Sequence, residues 1–360
     1  MRSFLRCLIL ALFSLPCPGL WALDLLPLKG EAATLHWDGQ QFIQADAHGN
    51  VYLLRGDTLE AYPLTKAHDL GTPVRLEIAV RSGFPLDAAI SPDGNWLVNM
   101  GASVHYFVDG HEAPLPSVNA GFVPLSVGFL RGDPALTVTP MPRGAAQDGR
   151  GIPLLLRAGS DSWSAELSEP RRASPNDPST ERANRAAMVL DAGDGRYFLA
   201  RQYAYRIELR RVGRDRPLAE LHLRAGAPVL KKLSDAERTR LLTESKAQAR
   251  SDAGPGTVSL FLGVRAILAL TRNGPGGPLY VLLGAGIAGD HCALDRIDWE
   301  EQRVERLALD LPCKGRFSMA AGRDGLYFAA WNGQEGRSFV AWSALDGAKW
   351  TPVKEVTFLP

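Results

Sequence analysis

The chain has 360 residues, of which 46% are apolar and 22% charged, the make-up of a packed globular protein and not of a disordered one. Its 40 Lys and Arg against 39 Asp and Glu leave a formal charge of +1, which gives no global field for holding a polyanion, so nucleic acid is excluded as a partner. The first elements read as an export signal. Arg2 and Arg6 precede the apolar run Leu8–Phe13, and Pro16, Pro18 and Gly19 break it before the small residue Ala22. Cleavage there divides the chain into a signal, residues 1–22, and a mature domain, residues 23–360. The loss of two arginines takes the charge from +1 to −1. The apolar run is much shorter than the roughly 20 residues of a spanning helix. The expectation is a periplasmic or secreted protein with no transmembrane anchor.

Beyond the signal, one shape recurs. An apolar stretch enters a polar turn carrying Gly or Asp, and a second apolar stretch leaves it. It appears around Asp46–Asn50, Ser91–Asn95, Arg131–Asp133, Asp191–Gly195, Asn273–Gly277 and Gly322–Gly325. Short runs such as Gln41–Ala45, Val51–Leu54 and Leu59–Leu64 read as strands, and Val74–Val80 alternates at period two as a half-exposed outer strand does. Gly49 to Gly94 spans 45 residues and Gly277 to Gly325 spans 48, near one four-stranded unit each; Gly195 to Gly277 spans 82 and needs an insertion. Ser234-Asp-Ala-Glu237 supplies one, a capping box opening a short surface helix that Gly254-Pro-Gly256 ends. A second polar stretch, Glu169–Arg185, carries Pro170, Pro175 and Pro178 and reads as a surface loop.

Repeated hairpins at this period predict an all-β fold, a six-bladed β-propeller with seven blades as the rival count. The second unit lies around Ser91–Val108, the third at Val127–Leu167, the fourth at Met188–Leu223, the fifth at Val258–Leu309 and the last at Phe317–Leu359. Leu23–Leu28 precedes the first unit and is placed to supply an outer strand to the last one, closing the ring. The segment Ser91-Pro-Asp-Gly-Asn-Trp-Leu97 resembles the Ser-Pro-Asp-Gly repeat of TolB-like propellers. The likeness covers one blade closely. Gly49, Gly195 and Gly325 keep only the turn glycine, and what it implies is the fold, not an activity.

Chemistry-bearing motifs are few. Of four cysteines, Cys7 and Cys17 leave with the signal; Cys292 and Cys313 remain and are expected to form a disulfide, worth about 3 kcal/mol for the loop it closes. Gly284-Ala-Gly-Ile-Ala-Gly289 has the letters of a dinucleotide fingerprint, but Asp290-His-Cys292 and an alternating strand follow where a helix is required. His105 and His111 flank the turn Asp109-Gly110, and His291 adjoins Cys292; a solvated turn and a loop histidine are the simpler readings. No Gly-x-Ser-x-Gly, no phosphate loop and no Cys-x-x-Cys-His is present. Asn99, Asp191 and Asn332 lie near inner strands and would be the start of a calcium site in the channel, the one cofactor the sequence leaves open. Arg171, Arg172, Arg182 and Arg185 make a basic loop. Arg201, Arg206, Arg210, Arg211, Arg214 and Arg216 follow, read as a solvated face balanced by Glu208, Asp215 and Glu220, with an anion-binding patch as the sharper alternative. Trp37, Trp96, Trp163, Trp299, Trp331, Trp342 and Trp350 are expected mainly to pack blades, with one or two at the mouth able to take a sugar or peptide.

Two functions follow. The first is an exported, non-catalytic propeller that binds a protein or peptide through its loops. The alternative is a metal-dependent propeller hydrolase or lyase with its site in the channel.

Overall fold

The computed structural model describes residues 23, 25–27, 41–56, 58–78, 85–101, 103–119, 121–140, 152–169, 186–223, 266–274, 276–284, 291–312, 316–331 and 336–360. They form six antiparallel sheets arranged as the blades of one ring. Blade 1 is Gln41–Ala45, Val51–Arg55, Glu60–Pro63 and Val74–Arg75. Blade 2 is Asp87–Ile90, Trp96–Asn99, Val104–Val108 and His111–Ala113. Blade 3 is Phe122–Leu130, Asp133–Pro140, Ile152–Ala158 and Trp163–Glu169. Blade 4 is Ala187–Gly193, Arg196–Arg201, Arg206–Arg211 and Ala219–Leu223. Blade 5 is Ile267–Arg272, Leu279–Leu283, His291–Asp298 and Arg303–Pro312. Blade 6 is Arg316–Ala321, Gly325–Trp331 and Gly336–Ala341, completed by Leu26–Pro27. The count is six, not seven.

The burial pattern follows from this packing. An inner strand has a neighbouring blade on each face, so it is apolar throughout; Leu279–Leu283 is buried at every position. An outer strand has one face in solvent, so Arg303–Pro312 mixes buried and exposed positions. The core is accordingly six apolar clusters, one in each gap between blades. Leu54, Trp96 and Val98 fill the gap between blades 1 and 2, and Leu130, Leu155 and Tyr197 that between blades 3 and 4. The tight hairpins have the expected chemistry. In the Ser91 turn the Ser91 hydroxyl accepts from the Asn95 N–H at 3.0 Å, and Gly94 takes φ +86°.

The first and last described strands lie on outer edges. Leu26 and Pro27 pair with Phe339 and Ser338 of blade 6, the closure that Leu23–Leu28 was placed to supply. The C-terminal end differs from the expectation that the last blade runs to Leu359. Thr351–Pro352 becomes a fifth strand on blade 5, and Val356–Leu359 a fifth strand on blade 4. The physical reason is occupancy. Leu26–Pro27 already fills the outer position of blade 6, whereas the outer strands of blades 5 and 4 offer open backbone edges. The helix Trp342–Asp346 turns the chain back toward them, anchored by Leu345 in the core and by the Trp350 indole donating to the Leu345 carbonyl at 2.8 Å. The helix expected at Ser234 lies outside the described residues.

Candidate functional site

The innermost strands of all six blades enclose a central cavity of about 810 Å³. Half-exposed Ala89, Ile90, Leu125, Met188 and Leu190 give its wall an apolar character. Six of its polar side chains serve the ring itself. Ser318 of blade 6 accepts from the Ile43 N–H of blade 1 at 2.7 Å, and Gln44 of blade 1 donates to the Ala88 carbonyl of blade 2 at 2.9 Å. Asp87 of blade 2 accepts from the Val127 N–H at 2.9 Å and the Ser126 hydroxyl at 2.7 Å, both on blade 3. Asp191 of blade 4 accepts from the Arg131 N–H of blade 3 at 3.0 Å. Arg272 of blade 5 donates to the Ala192 carbonyl of blade 4 at 2.7 Å, and Thr271 accepts from the Ala321 N–H of blade 6 at 3.1 Å. Each of the six gaps is thus closed at the channel by a bond from a side chain to the next backbone. Such bonds satisfy groups that burial would otherwise strand.

Of the residues singled out for a channel cation, Asn99 and Asp191 hold backbone groups. Asn99 sits on the second strand of blade 2, buried, where its side chain donates to the Pro124 carbonyl at 3.4 Å and accepts from the Gly101 N–H at 2.8 Å. Asp191 binds the Gly193 and Arg131 N–H groups, and Asn332 lies outside the described residues. His105 stands between the Ser103 hydroxyl at 2.8 Å and Glu112 at 2.6 Å, and His111 faces Glu77 at 3.4 Å, so the two turn histidines have separate partners. His291 faces Asp310 at 3.5 Å. Among the described residues no group of three His, Cys, Asp or Glu side chains is placed to hold a metal. The strands flanking Gly284–Gly289 are antiparallel neighbours, Leu283 opposite Ala293, so that segment joins a hairpin and not a βαβ crossover. Cys292 is buried on blade 5 and disulfide-bonded; Cys313, its expected partner, lies outside the described residues.

The arginine-rich blade departs from a solvated face. Glu208 is fully buried, with Arg210 at 2.6 Å, Arg206 at 3.0 Å and Arg201 at 3.7 Å. Arg201 also reaches Glu169, and Arg206 reaches Glu220 at 3.1 Å. The sequence conceals this, because Glu208 lies on the third strand of the blade, where the surrounding sheets and not water cover it. A second buried network ties blades 4 and 5. Arg306 grips Asp295 with bonds of 2.7 and 2.9 Å, and Tyr205 donates to the same carboxylate at 2.7 Å. No motif in the sequence marked it, since Tyr205, Asp295 and Arg306 lie far apart in the chain. The tryptophans that are described pack: Trp96 edge-on to Tyr52, Trp299 between Phe198 and Phe358, and Trp350 under the Arg296 guanidinium at 4.4 Å. The indole of Trp163 donates to the Pro116 carbonyl at 2.6 Å.

The two mouths of the channel differ. Each first strand ends at the mouth that carries the short hairpins, shown by the Gly49 carbonyl accepting from the Arg323 N–H at 3.2 Å across blades. At the opposite mouth begin and end the longest connections, residues 28–40, 170–186 and 224–266. No helix among the described residues is long and apolar enough to cross a membrane.

No protein-family profile and no curated protein matches this chain. Among solved structures, the chain is similar to a putative exported protein of Bacteroides fragilis, at 10% identity and TM-score 0.48, over 85% of this chain and 83% of that one. It is also similar to a PQQ-bound aldose sugar dehydrogenase of Streptomyces coelicolor, at 12% identity and TM-score 0.43, over 89% and 97%. A member of the DUF4221 family from Bacteroides vulgatus aligns at 10% identity and TM-score 0.43, over 93% and 96%. Likenesses at this level carry no argument about activity.

Proposed function

We propose that the protein is an exported, non-catalytic binding module that captures a protein or peptide through the face on which its longest connections begin and end. The observation that supports this reading is the commitment of Gln44, Asp87, Asp191, Thr271, Arg272 and Ser318 of the channel to the bonds between blades. Side chains holding N–H and carbonyl groups of a neighbouring strand are not poised to move protons or polarise a substrate. A stiff ring with long connections on one face is a scaffold for recognition, because loops change without disturbing the sheets beneath them.

The test is deletion of residues 170–185 from the mature chain. The fold is retained, and a partner captured from native extract by the intact protein, identified and then purified, no longer binds the deletion variant. Turnover of an ester, lactone or glycan that is lost on chelation overturns the reading in favour of a metal-dependent enzyme. Export belongs to the same proposal, and a mature N-terminus at Leu23 is the expected result of sequencing the exported protein.

A further inference from the structure

The arginines of blade 4 fall into two populations. Arg201, Arg206 and Arg210 neutralise buried Glu208. The others gather at the short-hairpin mouth, where two neighbouring blades add to them. Arg131, in the first turn of blade 3, lays its guanidinium over Gly195 of blade 4. A β-carbon at Gly195 would overlap it, and the residue's φ of +67° also calls for glycine, so the arginine's seat is built into the backbone. The next residue, Arg196, stands directly opposite Arg211 in the ladder. Like charges facing across a strand pair are destabilising, and here they persist. Arg272 approaches from blade 5; burial first, and the charge of Arg196 second, hold its pKa below the usual arginine range.

Compensation is thin. Among the described residues the one ion pair of these four arginines is Arg196 to Asp194 at 3.4 Å, and the Asp194 side chain is 87% exposed. Asp191 spends its two oxygens on the Gly193 and Arg131 N–H groups. Glu300 and Asp194 act on Arg272 only through space. The Arg196 Nε is buried without a hydrogen-bond partner. Arg214 and Arg216 are exposed in the adjoining turn beside Asp215.

We propose that Arg131, Arg196, Arg211 and Arg272 form a docking site for an acidic, extended peptide segment of a partner protein, on the face opposite the one assigned above and independent of it. The choice of carboxylates over phosphate rests on the backbone. A phosphate site converges several free N–H groups on one point. Here the N–H groups of Arg131 and Gly193 serve Asp191, and that of Val212 serves the Gly195 carbonyl at 2.9 Å. What remains is a row of guanidinium groups in which Arg272 is anchored, its Nε on the Gly277 carbonyl at 2.9 Å and its second bond on the Ala192 carbonyl, and lends its charge, while Arg131, Arg196 and Arg211 present the forks that match carboxylates.

The test uses the full mature chain and a fluorescein-labelled Glu octapeptide, with a Gln octapeptide as control, followed by polarisation at low ionic strength. The Glu peptide binds, the Gln peptide does not, added salt weakens the complex, and R196Q/R211Q weakens it about tenfold or more. R211Q removes a like-charge pair and raises Tm by about 1 °C. Deleting residues 170–185 leaves peptide binding intact, which separates this site from the loop face. Absence of Glu-peptide binding, equal binding by R196Q/R211Q, or a lower Tm for R211Q overturns the proposal. Tighter, variant-sensitive binding of inorganic polyphosphate than of the Glu peptide also overturns it, by making the row a phosphate site.

Discussion

Gly128, on the innermost strand of blade 3, lies directly against Val189 of blade 4. A β-carbon there would meet the Val189 side chain at 2.5 Å and its carbonyl at 3.1 Å. Neither can retreat, because Val189 lies in the innermost strand of the next blade. Gly128→Ala is therefore expected to cost about 1–3 kcal/mol by overpacking, read from chemical denaturation. Buried phenols set a second residue-scale outcome. Burial raises the pKa of Tyr197, Tyr205 and Tyr280, the nearby Asp295 charge adds to the rise at Tyr205, and Tyr327 is pushed up to about 12. A raised folded pKa gives stability that is complete below the unfolded value and lost as pH climbs toward the folded one. The melting temperature should hold to about pH 9 and fall from about pH 10 upward. Phenolate absorbance followed with the melts checks this; ionisation of these tyrosines near pH 10 with no loss of stability would refute it.

At the scale of elements, the C-terminal strands are the structure's least expected part and the easiest to probe. Phe358 packs edge-on against Trp299 at 5.6 Å, and the Val353 N–H donates to the Val304 carbonyl at 2.9 Å. Phe358→Ala should cost about 2 kcal/mol, less than a fully buried phenylalanine because the ring is only half covered. A chain ending before Thr351 should also aggregate on standing, since it bares the outer edges of blades 4 and 5. Peptide mapping without reductant should recover Cys292 linked to Cys313. His291 pairs with Pro312, which places Cys292 beside the end of the outer strand, and two free thiols would reject the link. Sequence made the hairpins legible because Ser91-Pro-Asp-Gly and its looser copies have the turn chemistry each blade needs. It also exposed the N-terminal strand, an apolar run with no partner of its own. It could not place Val356–Leu359, whose letters suit any outer strand and whose position depends on which edges are already taken. Nor could it divide the arginines, since Arg206 and Arg211 differ only in whether a neighbouring blade covers them.

For the whole molecule, the bonds around the channel should act as one set. Asp87→Ala strands the Val127 N–H and the Ser126 hydroxyl at a single gap and is expected to cost about 1–3 kcal/mol. Its unfolding transition should remain single and keep the wild-type denaturant slope, because a ring with one weakened gap has no blade that can leave alone. A second transition would show instead that blades unfold separately. The position of the ends gives this wholeness a history. Leu26 pairs with Phe339, so residues from the two extremes of the chain must meet before either has a complete edge. Every blade between them can form hairpins early, from contacts local in sequence. Closure waits on the chain as far as Phe339 and pays the entropy of its largest loop. Until that moment the protein is an open arc of nearly finished sheets with a sticky edge at each end, and closure removes both edges at once.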